Sequence, residues 1–453
     1  MRVLALARIA FVGTAAMAAF CPAARADFNE DQKICSQDGV APDVRIAVCT
    51  RQIESGKLEG ANLGVPYNSR GFAYREKGDP DHAIADFSQA IQLDPKYVFA
   101  WNNRGNAYFD KKDYDRAIAD FNQTLELDPK YVLAYYGRGT AWRMKKDYDR
   151  AVADYTRAID FNPKYAYAYN DRGVAYTNKN DVDRAIADYS QAIQIDPKYV
   201  MAYTNRALMY QNKADFDHAI ADFTQVIALA PSLAAYYNRG VAYKDKRDYD
   251  RAIADYSRAI EINPKALDPY NARAIAYRYK GDFAAAMADY TRELQIDPKI
   301  LAAIFSRGHL AVLTGGAQPA AMADLKQAAE MLPKNAYPAL WIEIANKRSK
   351  ANSTLAEAAK QLDTANWPAP VTRLFLGQSS PEDVLAAASS GNAPVRLNQT
   401  CSANFYIGEY YLWQGKKDDA KRLFALAGDA ACQSSLLEYE SAKAELKALE
   451  AKL

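Results

Sequence analysis

"DYDRAIADF" occupies residues 113–121, and the same phrase returns as "DYDRAVADY" at 147–155 and "DYDRAIADY" at 248–256. Apolar residues at spacings of three and four mark a helix, yet every copy sets an aspartate inside that apolar stretch. Outward from the motif, prolines stand at Pro95, Pro129, Pro163, Pro197, Pro231, Pro264, Pro298 and Pro333, separated by 34, 34, 34, 34, 33, 34 and 35 residues. A fixed period of this length marks an array of repeated supersecondary units. At 453 residues the chain is too long for one compact core, and an array accounts for its length.

Within the unit Val98 to Tyr131, Trp101, Gly105 and Tyr108 form one periodic set, and Tyr114, Ala117, Phe121, Thr124 and Leu127 form another. Two amphipathic helices follow, joined by the polar "DKKD" at 110–113 and closed by Asp128-Pro129. Small residues at Gly105 or Gly139 let the helices approach, with Ala117 or Ala151 as the complementary dent. Added bulk there costs about 1–3 kcal/mol by overpacking. One hairpin cannot bury both faces, so stability requires stacked neighbours and capped ends.

These offsets resemble the tetratricopeptide repeat, as Tyr203, Ala207, Tyr210, Ala219, Phe223 and Pro231 show in the fifth unit. The resemblance implies an all-α fold, a right-handed superhelical solenoid of helical hairpins with caps at both ends. Eight units fit residues 64–334, with a one-residue deletion after Pro231 and an insertion near Gly316. Residues 27–63 are expected to hold an N-terminal capping half-repeat, in which "DVRIAVCTRQIESG" (43–56) imitates a second helix. Residues 335–400 read as an irregular helical segment punctuated by "WPAP" (367–370) and "SSPED" (379–383). Residues 401–453 read as a degenerate hairpin followed by a capping helix, its apolar residues on one side and charges on the other.

Where leucine is frequent in that family, all eight units carry arginine: Arg70, Arg104, Arg138, Arg172, Arg206, Arg239, Arg273 and Arg307. The aspartates are equally complete: Asp86, Asp120, Asp154, Asp188, Asp222, Asp255, Asp289 and Asp324. The degenerate ninth unit has Ile407 and Leu423 at these two places, so both partners vanish together. We therefore expect a ladder of charge-assisted Arg–Asp contacts within or between hairpins, structural in role, because buried charges persist only when paired.

The first 26 residues read as an export signal, with Arg2 and Arg8 around the start, an uncharged run from Ile9 to Phe20 and the small-x-small site Ala24-Arg25-Ala26. Lipidation at Cys21 is the rival reading, disfavoured by the bulky Phe20 before it. Export places the mature chain in the periplasm. The 57 lysines and arginines fall by the leader's three, to one fewer than the 55 acids, which argues against nucleic acid as partner. No other stretch is apolar enough to span a membrane. Four cysteines remain after the leader, an even number suited to an oxidising compartment. Cys35 with Cys49, and Cys401 with Cys432, are the expected disulfides, the alternative being four buried free thiols.

"PAPVTRLFLGQSSPEDVLAAA" (368–388) followed by "SANFYIGEYYLWQGKKDDAKRLFALA" (402–427) is similar to the tail of the NlpI-type envelope lipoproteins. That resemblance implies an adaptor docking peptidoglycan hydrolases or a periplasmic protease. In the repeat family the first helix of each hairpin lines the concave surface, which nominates Asn102, Asn103, Tyr136, Tyr167, Asn170, Asn205, Tyr237, Asn238, Asn271 and Phe305 as a peptide-binding groove. Amide side chains donate and accept at once, so such a column suits an extended peptide. The alternative is that the asparagines are solvated or brace neighbouring hairpins. His82, His218 and His309 lie in three different repeats, and no metal, phosphate-loop or nucleophile motif occurs, so neither catalysis nor a cofactor is expected. The sequence thus points to an exported, non-catalytic scaffold for protein or peptide partners. A holdase, or an enzyme with its site in 335–400, are the alternatives.

Overall fold

The computed structural model describes residues 28–37 and 39–451, and among them every regular element is helical. The leader, its cleavage site and Cys21 lie outside the described residues. The chain divides into two compact units between Pro197 and Lys198.

The first unit opens with α1 (Phe28–Ser36) and α2 (Pro42–Glu54), a short hairpin of two helices where the sequence suggested a half-repeat. The Cys35–Cys49 disulfide ties them, with the two Cα atoms 5.2 Å apart. Four longer hairpins follow: α3 (Ala61–Glu76) with α4 (Pro80–Leu93), α5 (Val98–Asp110) with α6 (Tyr114–Leu127), α7 (Val132–Met144) with α8 (Tyr148–Phe161), and α9 (Ala166–Asn178) with α10 (Val182–Ile195). Each second helix packs on the next first helix, and the first helices α3, α5, α7 and α9 also touch in sequence, making one face.

Every letter of the opening motif has a place in this packing. Asp113 caps α6 by accepting the Arg116 amide at 3.1 Å, and the Arg116 guanidinium returns to the same carboxylate while lying 4.5 Å from the Tyr108 ring. Asp79, Asp147 and Asp181 cap α4, α8 and α10 in the same way. Such caps contribute about 1 kcal/mol each. Asp115 pairs with Lys145 of the next hairpin, an exposed contact of little energetic weight. Phe121 and its equivalents Phe87, Tyr155 and Tyr189 are fully or almost fully buried against a glycine of the first helix. A Cβ on Gly173 would stand 2.7 Å from the Tyr189 ring, so glycine sets how closely that hairpin closes.

The second unit continues with α11 (Val200–Asn212), α12 (Phe216–Leu229), α13 (Leu233–Asp245), α14 (Tyr249–Ile262), α15 (Leu267–Lys280), α16 (Phe283–Ile296), α17 (Leu301–Gly315) and α18 (Pro319–Met331), again as hairpins. The one-residue insertion is taken up by the first helix: α17 runs 15 residues where α11 and α13 run 13, while the connection of residues 316–318 is as long as that of 111–113. Beyond them come α19 (Ala336–Ser349), the short α20 (Leu355–Ala358), α21 (Ala369–Phe375) and α22 (Pro381–Ala388), then α23 (Ala393–Trp413), α24 (Lys417–Ala427), a 3-10 turn (Ala430–Ser434) and α25 (Leu436–Glu450).

Residues 335–400 are thus less irregular than their composition suggests. Residues Ala336 through Asn346 of α19 include a run buried on every side, centred on the fully buried Trp341, and the helix packs against α17 and α18. A helix buried all round carries no amphipathic stripe, so periodicity does not reveal it. It belongs to the largest apolar cluster, which joins Leu340, Val371, Leu374, Phe405, Ile407, Leu423 and Phe424. α23 and α24 form the degenerate hairpin, with α23 starting eight residues before Cys401, and the Cys401–Cys432 disulfide closes its open end.

Candidate functional site

The eight arginines and eight aspartates meet one to one inside their own hairpins. Each arginine donates from Nε to one aspartate oxygen and from Nη2 to the other at 2.6–2.9 Å, as in Arg104–Asp120 and Arg273–Asp289. Geometry of this fork-to-carboxylate kind is the strong form of the contact. The remaining Nη1 reaches back to the preceding second helix: from Arg104 to the Ser88 hydroxyl at 3.1 Å, from Arg138 to Asn122 Oδ1 at 2.6 Å, and from Arg273 to the Ser257 hydroxyl at 2.8 Å. One side chain therefore closes its hairpin and staples it to its neighbour. In the ninth hairpin Ile407 and Leu423 are both buried in a common apolar cluster.

The first-helix face of the first unit carries the nominated groove residues, and they behave differently from one another. Asn102 and Asn170 are 3% and 1% exposed, so they do not line a surface, which corrects their assignment to the groove. Their helix position faces the neighbouring hairpin, a distinction of about 100° that residue type does not encode. Asn103 is half-buried and donates to Asn68 Oδ1 of the preceding first helix at 3.0 Å. Tyr136 donates its hydroxyl to Asp171 Oδ2 of the next first helix at 2.7 Å, and burial together with that carboxylate holds the phenol well above its ordinary range. These polar side chains brace successive hairpins.

Tyr167 alone of the nominated set in this unit is exposed, at 55%. It belongs to a row that sequence reasoning passed over: Val65, Phe99, Leu133 and Tyr167 stand 34 residues apart at the entry of α3, α5, α7 and α9, all exposed. Phe72 and Met144 extend it, being two and three helical turns along from Val65 and Leu133 on the same side. The signal was present as a 34-residue spacing of large apolar side chains on the otherwise polar side of the helices. Tyr97 and Tyr131 pack edge-on against Phe99 at 6.0 Å, and Tyr165 against Tyr167 at 6.0 Å, which holds the two exposed rings.

In the second unit Asn205, Asn238 and Asn271 are half-buried on α11, α13 and α15. Tyr237 lies against the Tyr256 ring at 5.8 Å, and Phe305 packs on the cluster around Trp341. On α11 the exposed Met201, 34 residues after Tyr167, keeps the place of the apolar row; on α15 Asp268 holds it and faces a buried anomaly. Glu293 is 4% exposed where other units have alanine, threonine or valine, and its Oε2 has no partner. Burial first, then Asp268 and Asp289, raise its carboxyl to about 7. A raised acid favours the folded state below the unfolded value, and that contribution is lost as pH climbs through the folded one. Glu293→Ala should therefore stabilise the chain at pH 8 by about 1–2 kcal/mol, allowing for screening through the exposed Asp268, and by much less at pH 5. Urea titrations of both chains at the two pH values check this, and an equal gain at both would contradict it.

His82 and His218 occupy the place of Arg116 in their units, each against its capping aspartate and stacked on Tyr74 or Tyr210. Among the described residues no group of three or more His, Cys, Asp or Glu is arranged to hold a metal ion, and no helix is long and apolar enough to cross a membrane.

Comparison with known proteins agrees with the geometry. Family models described as tetratricopeptide repeat match residues 98–131, 132–165, 166–199 and 234–266, and further ones match 202–233 and 267–300. A TPR repeat model matches 71–111. Among solved structures, MamA is 31% identical over 35% of this chain and 93% of its own, with a TM-score of 0.34. YrrB, described as a TPR protein with an unusual peptide-binding site, is 24% identical over 39% of this chain and 92% of its own, at 0.36. The C-terminal part of a TPR repeat-containing protein from Cytophaga hutchinsonii is 19% identical over 52% and 96%, at 0.47.

Proposed function

Since the chain belongs to the tetratricopeptide-repeat proteins, we propose that it is a non-catalytic scaffold of the cell envelope, gathering protein segments on the first-helix face of its hairpins. The observation that carries this is the exposed row Val65, Phe99, Leu133 and Tyr167. Large apolar side chains exposed at a fixed interval along one face are the mark of a contact surface rather than of a solvated one. Aromatic anchors supply binding area at low entropic cost, and the bracing pairs Asn68–Asn103 and Tyr136–Asp171 keep the face rigid. The binding surface is thus apolar and aromatic, with the asparagines in a supporting role.

The envelope assignment draws on the signal-like leader and the two disulfides, and the tail's similarity to NlpI-type lipoproteins suggests wall-processing hydrolases or a protease as cargo. The test is capture of the tagged chain after brief cross-linking in envelope extracts, beside the variant Phe99→Ser/Leu133→Ser/Tyr167→Ser. A few defined polypeptides, lost by the folded variant, are expected. Their retention would move the interface elsewhere, and an indiscriminate smear would favour a holdase.

A further inference from the structure

Five residues after each ladder arginine lies a second repeated place on the first helix, and it is basic at Arg75, Arg143, Lys244 and Arg278. Three of these have an acid. Arg75 donates to Asp110 at 2.5 Å, Lys244 meets Asp245 at 3.0 Å, and Arg278 donates through Nε to Glu440 at 3.0 Å, the last two being almost fully buried. Arg143 has none. Among the described residues its one polar partner is the Tyr155 hydroxyl, which Nε approaches at 3.4 Å, so Nη1 and Nη2 are left without one. Asp171 of α9 lends its field to Arg143, but that carboxylate already accepts from the Tyr136 hydroxyl at 2.7 Å and from the Asn170 amide at 3.0 Å. A half-buried guanidinium without a carboxylate is costly to hold.

The second unit holds the same arrangement completed. Arg278 and Arg143 each donate to the hydroxyl of the buried tyrosine twelve residues on, Arg278 to Tyr290 at 3.3 Å as Arg143 to Tyr155. What Arg278 has in addition is Glu440, brought by α25, a core helix whose Ala442 and Leu449 belong to the main apolar cluster. α25 also meets the next two first helices, since His309 of α17 bonds the Ser441 hydroxyl at 3.0 Å and Arg348 of α19 donates to Glu445 at 2.7 Å. This chain thus contains one worked case of a helix laid on first helices, held by apolar packing and marked by a glutamate at this arginine. In the first unit the arginine stands with Leu133 and Met144 of its own helix and Tyr167 of the next, all exposed. Leu133 and Arg143 are ten residues apart, about 15 Å along α7, a distance that one docked helix covers.

We infer that Arg143 determines which partners the first unit accepts, and that the partner is an amphipathic protein helix with one glutamate on its apolar side, its carboxylate received by Arg143 as Glu440 is received by Arg278. A guanidinium fork matches a carboxylate in shape and charge, and glutamate combines that group with high helix propensity. Apolar side chains around the glutamate cover Leu133, Met144 and Tyr167. This rests on the proposed use of the apolar row as a contact face, and adds to it the charge that the partner carries.

The test uses the full chain and fluorescent amphipathic peptides of about 18 residues, long enough to cross three first helices spaced about 10 Å apart, with binding read by anisotropy. The peptides are amidated at the C-terminus and carry leucine at every third or fourth position. In the set, glutamate replaces each leucine in turn, with glutamine and lysine counterparts. At least one glutamate probe should bind about tenfold tighter than its glutamine counterpart, and the lysine counterpart should bind least. Arg143→Gln should erase that difference while leaving the affinity for the glutamine probe unchanged, and Arg143→Glu should turn the preference towards lysine. Where Arg143→Gln fails to fold, Arg143→Lys serves, since it keeps the charge, loses the fork and should retain only part of the preference. The inference is overturned by the lack of a glutamate preference at every position, or by a preference that survives Arg143→Gln. It is overturned equally if a glutamate-free probe with a free C-terminal carboxylate binds as tightly and depends on Arg143. The serine variant of the apolar row should weaken every probe alike. Row-dependent binding without a glutamate preference strikes the role of Arg143 alone, whereas binding indifferent to the row strikes the contact face itself and this inference with it.

Discussion

Asp120→Ala is expected to lower the stability of the first unit by about 3–5 kcal/mol, the range for breaking a buried ion pair from one side. Asp120 is 4% exposed, and it is the sole carboxylate in the fork of Arg104. Its removal leaves the half-buried guanidinium with one hydrogen-bond partner, the Ser88 hydroxyl, and the faces of Trp101 and Tyr108 beside it. The intact pair is a smaller net contributor than that loss suggests. Desolvation pushes the Asp120 carboxyl above its usual range, more than Arg104 draws it down. The double variant Arg104→Ile/Asp120→Leu, which copies Ile407 and Leu423 of the ninth hairpin, should accordingly recover most of the loss. Urea unfolding followed through Trp101 and Trp142, the tryptophans of this unit, measures both chains. An unchanged midpoint for Asp120→Ala would make the ladder a solvated ornament, whereas a double variant as unstable as the single one would make the charges themselves indispensable.

Cys401→Ser/Cys432→Ser should cost the second unit about 3–4 kcal/mol, since the bridge spans 31 residues and the loop-closure entropy it removes from the unfolded chain grows with that span. Both cysteines are buried, at 1% and 4% exposure, so the serine hydroxyls also enter a poorly hydrated place. The change is to be read through Trp341, Trp367 and Trp413, with Trp101 and Trp142 reporting that the first unit keeps its midpoint. Incubating the unaltered chain with dithiothreitol should reproduce most of the shift, with a further contribution from the Cys35–Cys49 bridge in the first unit. Identical unfolding of the oxidised and reduced chains would show that the hairpin of α23 and α24 holds by packing alone.

The hairpins and their period were legible in the linear chain because each depends on partners at a constant separation, and the two cysteine pairs because each falls within one local segment, 14 and 31 residues apart. Arg104 finds Asp120 sixteen residues on, as Arg70 finds Asp86, and Gly105 finds Phe121 at the same distance. A repeated interval turns a tertiary contact into a local pattern. The one-residue insertion before Asp324 leaves its pairing with Arg307 intact, since it extends the far end of α17, beyond Arg307, and the two side chains still meet.

The candidate site was legible only in part. Asparagine and tyrosine were sought because they can hold a peptide, but Asn102 and Asn170 turn inward, while Asn103 and Tyr136 serve the adjoining hairpins. A change of one residue turns a helical side chain by about 100°, so exposure follows from which neighbours are present and not from residue type. The row of Phe99, Leu133 and Tyr167 shows in the sequence as a 34-residue spacing, but that spacing, shared by the core positions, does not by itself tell a solvent-facing place from a buried one.

By itself, then, the sequence determined an array of helical hairpins, the internal pairing of each and the closure of the two disulfide loops, all of them relations at short separations, most of them repeated. Only the tertiary structure decided which side of the first helices meets solvent and that the glutamate side of α25 faces inward. Arg278 and Glu440 are 162 residues apart and recur nowhere. A contact made once, across so long a stretch of chain, leaves no period to read. It exists only because packing has already brought its two helices together.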